Sequence, residues 1–179
     1  MNSRKAETID VTLRCTVTVR DIPGIQRILE HTEAFKPHEI TVALELTEEW
    51  ITKGDGSGYH FIIAEHHGEI AGYVCYGPIT MTTRRFDIYW LAVDPSFQGK
   101  GIGSVLITEA EHTMADRGCH SVFLDTSSKD AYKKARNFYR KQGYQEVARI
   151  PGYYDDNDDK VILMKHILPL HHSEHEPIF

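Results

Sequence analysis

The sequence predicts a single domain of the α/β or α+β class, built on a mixed, mostly antiparallel sheet of seven strands. Segments with the spacing of strands and segments with the spacing of helices follow one another in the order β-α-α-β-β-β-α-β-α-β-β. The length of 179 residues is that of one domain with one sizeable core. We therefore expect one domain over residues 1–169 and a polar tail over residues 170–179.

The first third of the chain predicts one strand and two helices. Residues 13–19 alternate apolar and polar side chains, which is the pattern of a half-buried strand. Asp21 can cap the helix that follows, and Pro23 fits its first turn, where a missing amide hydrogen costs little. A second helix follows Pro37 and ends at the glycine-rich turn of residues 53–58.

The rest of the chain predicts six strands and two helices. The strands are expected at residues 59–65, 70–76, 86–93, 121–125, 144–150 and 161–167. One helical stripe begins at Ile102 and closes at Gly118, and another ends at Gly143. An acid-rich loop over residues 151–159 is expected between the last two strands.

The composition argues against several classes of protein. With 20 Lys and Arg against 26 Asp and Glu, the net charge of −6 lacks the basic excess of a nucleic-acid binder. The three cysteines are far apart, and no segment reaches the roughly 20 apolar residues of a membrane span. The tail holds three histidines, His171, His172 and His175. We interpret that tail as solvated, and we expect a cytoplasmic protein without metal, nucleic-acid or membrane partners.

The segment most informative about function is the glycine-rich turn between the strand of residues 86–93 and the next helix. Gly99, Gly101 and Gly103 stand at alternate positions, and the helix begins at once. Glycine lets a ligand approach the backbone closely, and free N–H groups at a helix N-terminus attract anions. A pyrophosphate over residues 98–103 would satisfy several of these groups, whereas a tightly packed turn is the structural alternative.

Two common phosphate-binding loops do not fit this turn. A P-loop has Ser or Thr after its lysine, but here Gly101 follows Lys100. A dinucleotide-binding fingerprint needs its third glycine where Ser104 stands, and it belongs to the first βα unit of a domain.

The turn instead resembles motif A of the GNAT superfamily of acyl-CoA-dependent N-acetyltransferases. Its pattern Gln98-x-x-Gly101-x-Gly103 is similar to the family's Arg/Gln-x-x-Gly-x-Gly/Ala. The predicted element order also agrees over about residues 13–167. The resemblance implies that the sheet is splayed between strands 4 and 5, with helices on both faces and the pantetheine arm of acetyl-CoA in the splay.

The resemblance also implies the cofactor-binding residues. The backbone groups of Leu91, Ala92 and Val93 should bind pantetheine like an added strand. The pyrophosphate should lie across Gln98, Gly99, Lys100, Gly101, Ile102, Gly103 and Ser104. Many members carry an asparagine where Tyr132 stands, so its hydrogen bond to pantetheine is either supplied by Ser127 or Ser128 or missing. We keep Tyr132 and Ser128 as candidate cofactor contacts.

A second motif, Ala135-x-x-x-Tyr139-x-x-x-Gly143-Tyr144, is similar to the family's Ala-x-x-x-Tyr-x-x-x-Gly-Phe. The resemblance implies that Tyr139 serves as the general acid for the departing thiolate. Ala135 and Tyr139 share one helix face, so a core tyrosine is the structural alternative.

The acceptor amine must lose a proton, and two carboxylates are candidate general bases. Asp87 and Asp125 lie in apolar strands near the expected splay, where burial would raise the pKa of either group. Each could equally be a structural carboxylate bound to backbone N–H groups. Tyr89 and Trp90 alternate along their strand, so one of them should face the substrate.

Tyr153, Tyr154 and Asp155 belong to the acid-rich loop, which could attract a cationic amine or be a solvated turn. We expect an N-acetyltransferase that transfers acetyl directly in a ternary complex, because no cysteine stands in a catalytic position. The acceptor would be a small amino acid similar to D-alanine or a protein N-terminus. The alternative is a non-catalytic acyl-CoA-binding sensor, and the sequence leaves the assembly open, with a homodimer as one option.

Overall fold

A computed structural model of the chain describes residues 9–167, and the tail predicted at residues 170–179 lies outside them. The strands are β1 Thr12–Arg14, β2 His60–His66, β3 Glu69–Pro78, β4 Arg85–Val93, β5 Ser121–Ser127, β6 Gln145–Asp155 and β7 Asp158–His166. The helices are α1 Ile22–His31, α2 Pro37–Lys53, α3 Ile102–Asp116 and α4 Lys133–Lys141. This order confirms the predicted fold class.

All seven strands form one sheet in the order β1-β2-β3-β4-β5-β7-β6. Neighbouring strands are antiparallel except β4 and β5, which are parallel. The parallel pair holds only from Arg85 opposite Ser121 to Asp87 opposite Phe123. Beyond these residues β4 continues along β3 while β5 continues along β7, so a gap opens between the two strands. The predicted splay between strands 4 and 5 is therefore confirmed.

The sheet separates two hydrophobic clusters, one on each face. The larger cluster lies under α3 and includes Leu106 and Ile107 of that helix, with Phe138 and Tyr139 of α4 packed against it. The other lies under α1 and α2 and includes Ile25 and side chains of β2 and β3. Helices thus cover both faces, as predicted, and β6 at the edge of the sheet is exposed along its whole length.

The first predicted strand and the predicted helix cap are corrected by the structure. The strand ends at Arg14, five residues before the predicted end at Val19, whose side chain is 67% exposed. The carboxylate of Asp21 does not cap α1; it accepts hydrogen bonds from the Arg14 guanidinium at 2.6 Å and the Thr18 N–H at 2.7 Å. These bonds fold the segment back on itself. Although burial opposes ionisation, they hold the pKa of Asp21 below its ordinary value.

The acid-rich segment is also not the long loop that the sequence predicted. The strands β6 and β7 continue to Asp155 and from Asp158, so only a tight turn separates them. Asn157 takes a positive φ of 67° in this turn, a conformation that asparagine tolerates well. A run of acids usually marks a loop, but here Asp158 is buried and bound by Ser127, and this contact stabilises the hairpin.

Candidate active site

The gap between β4 and β5 is bordered on the β4 side by a β-bulge. Cys75 of β3 lies opposite Trp90 and Tyr76 lies opposite Ile88, so Tyr89 is the extra residue. As a result Tyr89 and Trp90 both pack against the cluster under α1 and α2. The expectation that these two side chains alternate between the faces was therefore wrong, because an extra residue breaks the period of two.

The backbone of β4 beyond the bulge has one paired edge and one free edge. The N–H group of Asp94 donates to Ala71 of β3 at 2.9 Å. Since peptide groups alternate along a strand, those of Ala92 also point to β3, whereas those of Leu91 and Val93 point into the gap. The N–H and C=O groups of Leu91 and the N–H group of Val93 are therefore available to a ligand in the gap, so Ala92 does not fit its predicted role.

The glycine turn lies at the end of this free edge. Gly99 and Gly101 have φ angles of 77° and 87°, which favour glycine, and no atom lies within 4 Å of where a Cβ on Gly99 would be. Gly101 precedes the first residue of α3, so the first N–H groups of that helix have no partner one turn earlier. These groups, with the positive end of the helix dipole, suit an anion such as a pyrophosphate.

Gln98 connects the turn to its surroundings. Its side-chain amide donates to the carbonyl of Val93 at 3.1 Å, and its side-chain oxygen accepts from the ammonium group of Lys134 at 2.7 Å. Lys100 extends over the ring of Phe97, 5.3 Å from its centroid. Two cations therefore lie beside a turn of a protein whose net charge is −6.

Gly103 and Ser104 belong to α3, and both contact the α4 side of the protein. A Cβ on Gly103 would lie 3.4 Å from the ring of Phe138, an ordinary contact distance, so Gly103 lies where α3 faces α4. The hydroxyl of Ser104 accepts a hydrogen bond from Gln142 at 2.9 Å. Both residues, like Ile102, keep backbone N–H groups in the first turn of the helix.

Tyr139 lies in α4, against the cluster under α3. Its ring packs edge-on against Phe138 and Tyr144, with centroid distances of 5.3 and 5.9 Å. Its hydroxyl has no hydrogen bond to any residue between 9 and 167, and burial raises its pKa above the ordinary value. The group is therefore a neutral O–H at physiological pH that remains free to donate.

Asp125 is held by two side chains of the β6–β7 hairpin. Its Oδ1 accepts a hydrogen bond from the Tyr154 hydroxyl at 2.6 Å, and its Oδ2 lies 2.6 Å from the Lys160 ammonium. That ammonium also lies over the ring of Tyr153, 4.7 Å from its centroid. Both oxygens of Asp125 are therefore engaged, although 43% of the side chain is exposed.

Asp87 differs from Asp125 in having no hydrogen bond or ion pair within residues 9–167. It is the last residue of β4 that pairs with β5, so it lies where the gap begins. Its neighbours Phe86 and Ile88 join the cluster under α3, so its side chain points to the opposite face. Burial and then the charge of Asp125 raise the pKa of Asp87, while Lys160 opposes the shift.

Lys160 is the residue of this cluster that the sequence did not single out. It lies two positions from Ile162, the residue of β7 opposite Asp125, so strand register brings its side chain to that carboxylate. A lone lysine in a strand carries no signal by itself. Only the pairing of β5 with β7 could have revealed it.

Three other predicted contacts are occupied within the protein. The Tyr132 hydroxyl donates to the carbonyl of Ala34, and Ser128 Oγ accepts from the N–H of Asp159 at 2.8 Å. Asp155 lies 3.7 Å from the ammonium of Lys129. Ser128 still has a hydroxyl hydrogen to donate, whereas the Tyr132 hydrogen is already used.

Two other acidic side chains of the β6–β7 hairpin also form ion pairs within the protein. Asp159 lies 3.3 Å from Arg149, and Lys129 lies 3.6 Å from Asp158. Within residues 9–167 no group of three or more His, Cys, Asp or Glu side chains could hold a metal ion. No helix in that part of the chain is long and apolar enough to cross a membrane.

Comparisons with known proteins find the same fold in several solved structures. A crystal structure of a GNAT-family protein from Desulfovibrio desulfuricans is 36% identical, with a TM-score of 0.86 over 88% of this chain and 99% of that one. The ribosomal-protein-S18-alanine N-acetyltransferase of Escherichia coli is 20% identical, with a TM-score of 0.71 over 93% of this chain and 100% of its own, and shares the fold. A coenzyme A complex of the PaiA N-acetyltransferase of Thermoplasma acidophilum is 16% identical, with a TM-score of 0.69 over 89% of this chain and 100% of that chain.

Curated proteins that are similar in sequence are also named N-acetyltransferases. An uncharacterized N-acetyltransferase of Methanocaldococcus jannaschii is 29% identical over 106 residues, which are 59% of this chain and 65% of that protein. One of Chlorobaculum tepidum is 29% identical over 89 residues, 50% of this chain and 52% of its own length. The chain thus spans about half to two thirds of these relatives. The model of the GNAT acetyltransferase family matches residues 25–144, so the chain belongs to that family.

Proposed function

We propose that the protein transfers an acetyl group from acetyl-CoA directly to a primary amine within a ternary complex. The observation that carries this proposal is the gap between β4 and β5, where a free strand edge leads to the N-terminus of α3. The amide groups of a pantetheine arm can pair with the N–H and C=O groups of Leu91 and with the N–H group of Val93 like an added strand. The pyrophosphate then meets the free N–H groups at the start of α3.

Two protons move in the reaction that we propose. The amine nitrogen forms a bond to the acetyl carbon and gives its proton, directly or through one water, to the carboxylate of Asp87. The carbon–sulfur bond breaks, and the sulfur takes a proton from the Tyr139 hydroxyl. A neutral phenol with a raised pKa suits an acid, and a free carboxylate with a raised pKa suits a base.

Asp87 is the better base of the two candidates because its carboxylate is free. Accepting a proton at Asp125 would break the ion pair with Lys160 and compete with the Tyr154 hydrogen bond. We assign Asp125 to positioning: it anchors the β6–β7 hairpin beside the gap. Its charge also contributes to the raised pKa of Asp87.

The acceptor side is the face that carries Asp87, Tyr89 and Trp90. Tyr153 and Tyr154 border it, with 55% and 37% of their surfaces exposed. The Escherichia coli neighbour is named for the alanine of a ribosomal protein, so a protein N-terminus is one candidate acceptor. A small amino acid similar to D-alanine is the other candidate, since an ammonium group fits beside a free carboxylate.

A panel of amines measured for CoA release tests the proposed function. The panel contains D-alanine, L-alanine amide and peptides of six residues that begin with different amino acids. We expect at least one acceptor to release CoA and to gain the mass of an acetyl group less that of the hydrogen it replaces, and hydrolysis without acceptor to be much slower. A protein that binds acetyl-CoA and acetylates no amine of a broadened panel would instead be a sensor.

Replacing Tyr139 by phenylalanine tests its role as the acid. A positioned acid is worth about 10²–10⁴-fold, and we expect the lower end because a thiol with a pKa of about 8.5 leaves readily. The loss should appear in kcat, while the Kd for acetyl-CoA and the unfolding midpoint stay close to those of the parent. If kcat stays within about twofold while chemistry limits the rate, Tyr139 is a packing residue.

Replacing Asp87 and Asp125 separately by asparagine distinguishes the base from the anchor. Asp87 acts as a carboxylate, so kcat/KM of the parent should fall as the pH falls through its raised pKa, above the ordinary value of about 3.9. Asp87→Asn should abolish this acidic limb of the pH profile of kcat/KM and lower kcat about 10²-fold. Asp125→Asn should keep the limb, shift it to lower pH and chiefly raise the acceptor KM. The opposite result would make Asp125 the base.

A further inference from the structure

Residues 32–36, called the strap below, connect α1 to α2, and contacts at and beside them reach both sides of the open end of the gap. At one end, His31 Nδ1 lies 3.5 Å from Oδ2 of Asp94, the residue after β4. Farther along, the Ala34 carbonyl accepts the hydrogen bond from Tyr132, beyond the carboxyl end of β5. Parallel strands end at the same edge of a sheet, so the strap spans the opening from β4 towards α4.

The ends of the strap are held by their own helices. The Thr32 hydroxyl donates to a carbonyl of α1 at 2.8 Å, and the N–H of Lys36 donates to Glu39 of α2 at 2.7 Å. Glu33 takes a φ of 52°, which is unfavourable for a residue other than glycine. The middle of the strap is therefore a short bent segment rather than a continuation of either helix.

One polar contact ties the strap to the other side of the gap. In the described part of the chain, no hydrogen bond or ion pair other than the Tyr132–Ala34 bond joins residues 22–53 to residues 121–167. Phe35 packs against the cluster under α1 and α2, on the β4 side. The Tyr132 hydroxyl thus supplies the polar contact that holds the strap to the β5 side of the gap.

The strap lies on the proposed acceptor face of the sheet, and its first end is near Asp94, which precedes the cofactor turn. It belongs to the α1–α2 layer, the face on which Tyr89 and Trp90 pack. The turn of residues 98–101 leads instead into α3, which covers the opposite face. An acceptor that enters the open end of the gap from the α1–α2 side therefore meets the strap.

We propose that Tyr132 is a positioning residue that holds the strap across the acceptor entrance and so limits the size of the amine that enters. This inference rests on the proposed transferase function. It replaces the expected cofactor contact of Tyr132, because the hydroxyl hydrogen is already donated to Ala34. A tyrosine at this position thereby couples α4 to the α1–α2 layer.

Tyr132→Phe removes only the hydroxyl and tests this proposal. The net free energy of one hydrogen bond corresponds to a change of about 2- to 10-fold in an equilibrium constant. The backbone amides of residues 33–36 should therefore exchange hydrogen faster by that factor. The KM for L-alanine amide should rise by a similar factor at unchanged kcat. The kcat/KM for a hexapeptide that begins with alanine should rise relative to that for the amide. The Kd for acetyl-CoA should stay within about twofold.

Tyr73→Phe is the matched control, because it removes a buried hydroxyl without a partner from beneath the same helices. It should change neither the exchange of amides 33–36 nor the acceptor KM. Unchanged exchange in Tyr132→Phe would overturn the proposal, as would a weaker Kd for acetyl-CoA without faster exchange. If the parent releases no CoA with any amine of the broadened panel, the transferase proposal fails, and amide exchange still decides whether Tyr132 holds the strap.

Discussion

The divergence of two parallel strands is the constraint on which the rest of the site depends. The strands β4 and β5 pair only as far as Asp87 and Phe123, and each then follows a different antiparallel neighbour. Within residues 9–167, separation leaves the N–H and C=O groups of Leu91 and the N–H group of Val93 without partners, which is costly unless water or a ligand satisfies them. The same divergence places a carboxylate where the gap begins and the N-terminus of α3 where it ends.

The charges around the gap suit the anionic cofactor and the amine acceptor that we propose for this acidic protein. Phosphate groups would meet backbone N–H groups, with Lys100 and Lys134 nearby, so no basic surface is needed. On the proposed acceptor side, Lys160 neutralises Asp125, whereas Asp87 has no ion pair within residues 9–167. Most of the acid-rich hairpin is engaged with the protein's own cations, which gives it a structural role.

Periodicity and the glycine spacing were sufficient to predict the fold class, the element order and the turn before α3. They could not predict the bulge at Tyr89, because one extra residue reverses the facing of its neighbours without changing the apolar pattern. Asp21 was misread as a cap because its partner Arg14 approaches only after the chain folds back. The contacts of Lys160 and Tyr132 depend on strand register and on a bond spanning 98 residues, which local patterns do not encode.

The most direct test of the account is amide hydrogen exchange along β4, measured by NMR with and without acetyl-CoA. If pantetheine pairs with the free edge, the amides of Leu91 and Val93 should become protected on binding. The amide of Ala92, which points to β3, should be protected already and change little. Binding of acetyl-CoA that leaves Leu91 and Val93 unprotected would contradict the claim that the gap is the cofactor site.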